Sequence, residues 1–226
     1  MSNLKCVVFD MDGTLTQTNQ LIYDSFNYIA KKYRNRIYSI PEITAMFGPP
    51  EEEALLAIVD RAEIDVVMND YLDFYRKNHN TDAQLYPGMI NVLQTVKRFG
   101  SKSAVFTGKG NRTTQITLEE CHIEKYFDCV VTGTDVTKHK PSSEGLRIIM
   151  DRLGLHPSEM LMVGDAVVDI ASAREAGIRM AAVVWDSYCK EAVLRLEPDF
   201  VFDTVADFHV WLKEQLSGSR QTNCGF

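Results

Sequence analysis

The chain is poor in the features that mark specialised protein classes. Among its 226 residues there are five cysteines and two tryptophans. Cys6, Cys121, Cys129, Cys189 and Cys224 are scattered, odd in number and never spaced as Cys-x-x-Cys. That argues against a disulfide framework and, with no adjacent His cluster, against a zinc site. Cys6 and Cys129 lie in apolar runs, where a thiol acts as a small buried hydrophobe. No stretch approaches ~18 consecutive apolar residues, so no membrane partner is expected. Residues 1–5 open no apolar signal region. The expected compartment is therefore a reducing cytoplasm. Basic excess is missing too. A net charge of −7 and a pI of about 5.3 disfavour a nucleic-acid partner, since such domains usually exceed a pI of ~9. An anionic small substrate remains open, because a metal ion or one lysine inverts the field in a cleft. There is no internal repeat and no low-complexity tract.

What is present is ordinary globular material, 45% hydrophobic and 24% charged. At ~150 residues per domain the length allows one core plus an insertion. Short, β-branched, non-alternating runs recur at Cys6-Val7-Val8-Phe9, Ala104-Val105-Phe106, Cys129-Val130-Val131, Met160-Leu161-Met162-Val163 and Ala181-Ala182-Val183-Val184. Strands buried on both faces have this pattern. Phe200-Val201-Phe202 is a weaker run, expected at a sheet edge. Helical patterns over about 88–99, 143–153 and 167–176 each stop at a glycine, Gly100, Gly154 and Gly177. The alternation implies an α/β, doubly wound, mostly parallel sheet.

Residues 17–83 break this rhythm and hold no strand-like run. A first helix is expected near 18–34. Ser39-Ile40-Pro41-Glu42 reads as a capping box. Pro50 followed by Glu51, Glu52 and Glu53 reads as a further helix start, and Asp65 as the cap of another helix reaching His79. The expectation is an all-helical insertion at 17–83, with 1–16 and 84–226 forming the sheet domain. Residues 217–226 read as a frayed polar tail.

Four polar motifs follow buried strands. Asp10-Met11-Asp12-Gly13-Thr14 sets two acids two apart before a turn, and Asp-Gly is also an ordinary turn pair. Phe106-Thr107-Gly108 offers a hydroxyl and open backbone N–H groups that suit a phosphate oxygen, or a simple cap. Lys138-His139-Lys140-Pro141 is a charged loop of the kind that is usually just solvated. Gly164-Asp165-Ala166-Val167-Val168-Asp169 sets two carboxylates four apart, each also able to cap a helix. All four fall at the carboxyl ends of strands, where open α/β sheets bind ligands. Together they form a coherent set: hard oxygen donors for Mg²⁺, and Lys and Thr for phosphoryl oxygens.

These motifs, in this order and spacing across nearly the whole chain, resemble the haloacid dehalogenase superfamily. The helical insertion after the first motif is similar to the cap of its phosphoglycolate phosphatase and β-phosphoglucomutase-like branch. Lys140-Pro141-Ser142-Ser143-Glu144-Gly145-Leu146 resembles that branch's Lys-Pro-x-Pro-Glu-Gly-Leu, with Ser143 replacing the second proline. The resemblance implies a hydrolase for a small phosphorylated metabolite working through an aspartyl-phosphate. Asp10 would be the nucleophile, Asp12 the general acid and base, and Lys140 a catalytic cation. Met11, Thr107, Gly108 and Lys140 would bind the phosphoryl group. Asp10, Asp12, Asp165 and Asp169 would hold Mg²⁺, Asp12 through its backbone carbonyl and Asp169 through water or from outside the inner ligands. Asp12 argues against dehalogenase chemistry, since that branch lacks an acid there.

The turn at Phe47, Gly48, Pro49 and Pro50 would reach the site and set specificity, or be a plain helix connection. The acids after it would repel an anionic leaving group. The insertion holds no basic cluster dedicated to a second phosphate, which disfavours the alternative of a phosphosugar mutase, although one cation from Lys31, Lys32, Arg34 or Arg36 would suffice for it. A non-enzymatic phosphate-responsive module is a third reading. Tyr23, Tyr28, Tyr71 and Tyr75 are expected in the core rather than the cleft, and His79 and His122 as structural or surface residues. Oligomeric state is not legible.

Overall fold

The computed structural model describes residues 4–218. Six strands form one parallel sheet: β1 (Cys6–Phe9), β4 (Lys102–Phe106), β5 (Cys129–Val131), β6 (Met160–Gly164), β7 (Arg179–Val183) and β8 (Phe200–Phe202). Their order is β5-β4-β1-β6-β7-β8. β1 pairs with β4 on one side and β6 on the other, so the chain reverses its winding direction at β1. A crevice opens at such a switch point, outside the carboxyl ends of the strands.

Strand parity sorts the side chains into two layers, because successive residues point to opposite faces. Val7, Phe9, Val105, Leu161 and Val163 pack with Val92 and Leu93 of α5 (Met89–Arg98) and Phe208 and Leu212 of α10 (Val205–Gly218). Val8, Ala104, Phe106 and Met162 pack on the other face with Ile149 of α7 (Glu144–Leu153) and Ile170 of α8 (Val167–Ala176). Both faces are dry, which is why the strand sequences do not alternate. Cys6 and Cys129 are buried within this layer. Gly154 and Gly177 end their helices with left-handed backbone.

The insertion is built from α1 (Asn19–Arg34), α2 (Ile40–Thr44), α3 (Glu51–Ala54) and α4 (Ile64–Asp82). It has its own apolar cluster, with Leu21, Phe26, Ile29, Leu55, Tyr71 and Tyr75 at its centre. Tyr71 and Tyr75 are fully buried and Tyr23 nearly so, while Tyr28 is half-buried and stacks on Phe74. One residue of the sheet domain joins this cluster: Ile116 of α6 (Asn111–Glu120).

The structure departs from the sequence reading in several places. A short strand pair not expected from the sequence sits at the borders of segment 17–83: β2 (Thr16–Gln17) pairs antiparallel with β3 (Gln84–Leu85), tying both connections to the insertion together. Two residues per strand are too few to leave a hydropathy signal. Asp65 does not cap α4; it lies in the first turn, where its charge faces the positive helix end. The capping box belongs to Asp60 and Glu63, one short turn earlier. Ser39 does form the expected box, with Glu42 accepting from its backbone N–H. His79 is 1% exposed and hence a core residue, whereas His122 is exposed in the turn after α6. Helices α6, α9 (Lys190–Arg195) and α10 were not anticipated. Of the expected tail, Ser217 and Gly218 belong to α10, and 219–226 lie outside the described residues. No helix among the described residues is long and apolar enough to cross a membrane.

Candidate active site

The chain after β1 turns sharply around one carbonyl: Met11 O accepts the backbone N–H groups of Thr14, Leu15 and Thr16. The Met11 side chain is buried in the core, so only its backbone faces the crevice. Gly13 has φ +76, and a Cβ there would stand 2.5 Å from Asp165 Oδ2. Glycine is therefore needed both for the backbone and to let the Asp165 carboxylate lie against the turn. Thr14 Oγ1 donates to Asp165 Oδ1 at 2.9 Å and fixes its orientation.

Asp10, Asp165 and Asp169 each offer an oxygen within 4.8 Å of the others. Asp165 and Asp169 are 2% and 1% exposed. Between Asp10 and Asp169 sits the Lys140 ammonium, donating to Asp10 Oδ1 at 2.7 Å and to Asp169 Oδ1 at 2.6 Å. Asp169 Oδ2 accepts the Ala166 N–H at the start of α8, so both the capping and the clustering readings of Asp169 apply.

The electrostatics follow from burial. Loss of water pushes the Asp10 carboxyl up to about 7; Lys140 opposes the shift and Asp169 adds to it. Burial, and then repulsion from Asp10 and Asp169, hold Asp165 well above the usual carboxylate range. Burial works against the Lys140 charge, but Asp10 and Asp169 outweigh it and raise its pKa. The site thus carries an excess of crowded negative charge, which a hard divalent cation would relieve.

Asp12 points toward the insertion. Its Oδ1 accepts the hydroxyl of Thr18, at the start of α1. Its Oδ2 lies 3.4 Å from Lys109 Nζ. Lys109 is the residue that the sequence reading missed. Its side chain is 4% exposed, its Nζ sits over the Tyr75 ring at 4.7 Å, and that nitrogen has no hydrogen-bond partner. The available signal was its position, directly after Thr107-Gly108 in the loop following β4. Thr107 is buried and its Oγ1 accepts the Lys109 N–H, which leaves the hydroxyl proton free to donate.

These residues line a cavity of about 140 Å³ between sheet and insertion. Phe47, Gly48 and Pro49 reach its wall, and Phe47 stacks on Tyr23. Pro50 is buried beside this wall without lining the cavity. Tyr188, after β7, closes another side.

Comparison with known proteins identifies the family and the fold. Residues 7–183 match the family described as haloacid dehalogenase-like hydrolase. The chain is 32% identical over 205 residues to pyrophosphatase PpaX of Anoxybacillus flavithermus, covering 91% of this chain and 95% of that one. A solved structure titled a predicted phosphoglycolate phosphatase, from Haemophilus somnus, superposes with a TM-score of 0.80 at 25% identity, covering 92% and 97% of the two chains. CbbY of Rhodobacter sphaeroides, in complex with phosphate, shares the fold at TM-score 0.79 and 20% identity over 91% and 96%. The crevice at the β1 switch point and the family match over most of its length lead to one conclusion: the chain belongs to the haloacid dehalogenase-like hydrolases.

Proposed function

We propose that the chain is a Mg²⁺-dependent phosphomonoester hydrolase for a small phosphorylated metabolite, acting through an aspartyl-phosphate. The observation that carries the reading is the convergence of Asp10, Asp165, Asp169 and Lys140, with Asp12 two residues beyond Asp10 on the insertion side. The relatives' names, pyrophosphatase and phosphoglycolate phosphatase, support phosphoryl hydrolysis.

The donor set fits the metal: three crowded carboxylates supply hard oxygens, with no sulfur or imidazole among them. Asp10, Asp165 and the Asp12 carbonyl would hold Mg²⁺. Asp169, whose two oxygens already serve Lys140 and Ala166, would act from outside the inner ligands. Bound there, the ion would neutralise charge on the phosphoryl oxygens.

Asp10 attacks phosphorus; a carboxylate O–P bond forms as the ester P–O bond breaks. Asp12 gives its proton to the departing alkoxide. It then takes a proton from the water that hydrolyses the aspartyl-phosphate. Thr18 orients Asp12 through its hydroxyl. Lys140, Thr107 and the Gly108 backbone hold the phosphoryl oxygens, so that positioning and charge stabilisation supply most of the catalysis. The helical insertion acts as a cap that excludes water. A mutase has less support, because the cavity-lining residues that the cap adds, between Asn19 and Ala54, include no cation for a second phosphate and one anion, Glu51.

A phosphate-release screen over a metabolite panel with Mg²⁺ tests the proposal. Asp10→Asn is expected to lose roughly 10³-fold or more in kcat. Full activity in that variant would exclude Asp10 as nucleophile.

A further inference from the structure

Three acids open α3, and they have different surroundings. Glu52 and Glu53 are exposed and face Arg112 and His139. Glu51 is 7% exposed and turned into the sheet domain. Its Oε2 accepts the Gly110 N–H at 2.7 Å, and its Oε1 accepts the Thr113 hydroxyl at 2.7 Å. Both partners lie at the start of the ten-residue α6, where the helix dipole favours negative charge. A Cβ at Gly110 would stand 2.8 Å from Glu51 Oε2, so the backbone there is bare to admit the carboxylate. Glu51 is thus fixed and cannot swing aside when ligand enters.

Glu51 Oε1 also lies 3.6 Å from Lys109 Nζ, opposite Asp12 at 3.4 Å. Two lysines line the cavity. Lys140 lies among Asp10 and Asp169, where it serves the phosphoryl group, whereas Lys109 lies beside Asp12, where the leaving group departs. That wall also includes the apolar Ile22, Phe26, Met46 and Phe47, with Asn19 as an uncharged polar member.

Resting on the phosphatase reading, we propose that Glu51 determines specificity: it neutralises Lys109, so the site takes phosphate esters of compact uncharged alcohols and rejects leaving groups bearing a carboxylate or phosphate. Lys109 Nζ lacks a hydrogen-bond partner, and its N–H groups suit a neutral hydroxyl or ester oxygen. An added anion would instead face Glu51, whose charge already balances that of Lys109.

Two phosphonates of similar size test this without turnover. With Mg²⁺ present, calorimetry compares 2-hydroxyethylphosphonate, with a neutral arm, and phosphonoacetate, with an anionic arm. The wild type is expected to bind the neutral compound roughly tenfold tighter or better. Glu51→Gln should shrink that preference by about tenfold through tighter phosphonoacetate binding, and Glu51→Asp should retain it. Equal or tighter phosphonoacetate binding by the wild type overturns the proposal, as does binding of neither compound. An unchanged preference in folded Glu51→Gln does so too, and the wild-type comparison decides by itself should that variant not fold. Failure of the wild type to hydrolyse p-nitrophenyl phosphate instead overturns the phosphatase reading.

Discussion

Asp165 is a buried carboxyl crowded by two others. Its folded pKa stands well above the ordinary carboxylate value because of burial and then the nearby Asp10 and Asp169 charges. A carboxyl raised in this way favours folding while it is protonated. As pH climbs past the unfolded value of ~3.9, the unfolded chain sheds a proton that the folded chain retains, and stability falls. At neutral pH without metal, Asp165 therefore works against the fold. Asp165→Asn keeps a partner for Thr14 and removes the charge. We expect a higher melting temperature than wild type in chelator at pH 7.5, and loss of most of the stabilisation by added Mg²⁺. Differential scanning fluorimetry checks both; a lower melting temperature in chelator would sink the argument. Thr18 makes a second residue-level case. Thr18→Val removes the hydroxyl donated to Asp12, so kcat should fall ~10–100-fold with little change in KM. Steady-state kinetics on one phosphate ester reads the split, and a change confined to KM would assign Thr18 to substrate binding instead.

The individual elements differed in how visible they were in the sequence. Five of the sheet strands stood out because burial on both faces forces unbroken apolar runs, while the half-exposed edge strand β8 gave a weaker run; Gly154 and Gly177 marked two helix ends through their left-handed backbone. Helix α6 was hidden, since Asn111–Glu120 holds three threonines and few apolar residues in register. Its packing against α4 decides its conformation. Lys109 stayed hidden with it: one lysine before a polar stretch reads as solvated, and only the approach of Tyr75 and Glu51 from the insertion buries it. Asp10, Asp165, Asp169 and Lys140, by contrast, were grouped by their place after strands and do lie together. The turn after β1 gives the prediction at this scale. Gly13→Ala meets both a positive φ and the Asp165 carboxylate. It should cost about 1–3 kcal/mol from the backbone alone, with further loss of activity as Asp165 is displaced. Urea unfolding measures the first and phosphate release the second; a neutral substitution would mean that the turn relaxes freely.

Across the whole molecule, two apolar clusters meet along a polar seam. The insertion and the sheet domain contribute little shared core beyond Ile116. They are joined instead by Tyr75 to Thr117, Glu51 to Gly110 and Thr113, Arg76 to Glu119 and Glu120, and Asn80 to Glu120. Exposed pairs such as Arg76 with Glu119 add little stability, so the buried hydrogen bonds of Glu51 and Tyr75 carry most of the polar attachment across the seam. His79 lies on α4 in this seam, 1% exposed, its ring edge-on to Tyr75 and its Nε2 without a partner. Burial lowers its pKa, Lys109 and Arg76 lower it further, and Glu120 and Asp12 oppose the shift. The unfolded chain therefore accepts a proton near pH ~6.5 that the folded chain refuses. The stability that His79 contributes is complete above that pH and is lost as pH falls through it toward the lower folded value, by at most ~1.4 kcal/mol per pH unit. Asp10 acts in the opposite sense over part of the same range, since its carboxyl is raised to about 7. The clean measurement is thus a difference: wild type minus His79→Gln, by urea unfolding at pH 7.5, 6.5 and 5.5. Wild type should lose ground to the variant as pH falls, and a flat difference would mean that the seam admits the imidazolium.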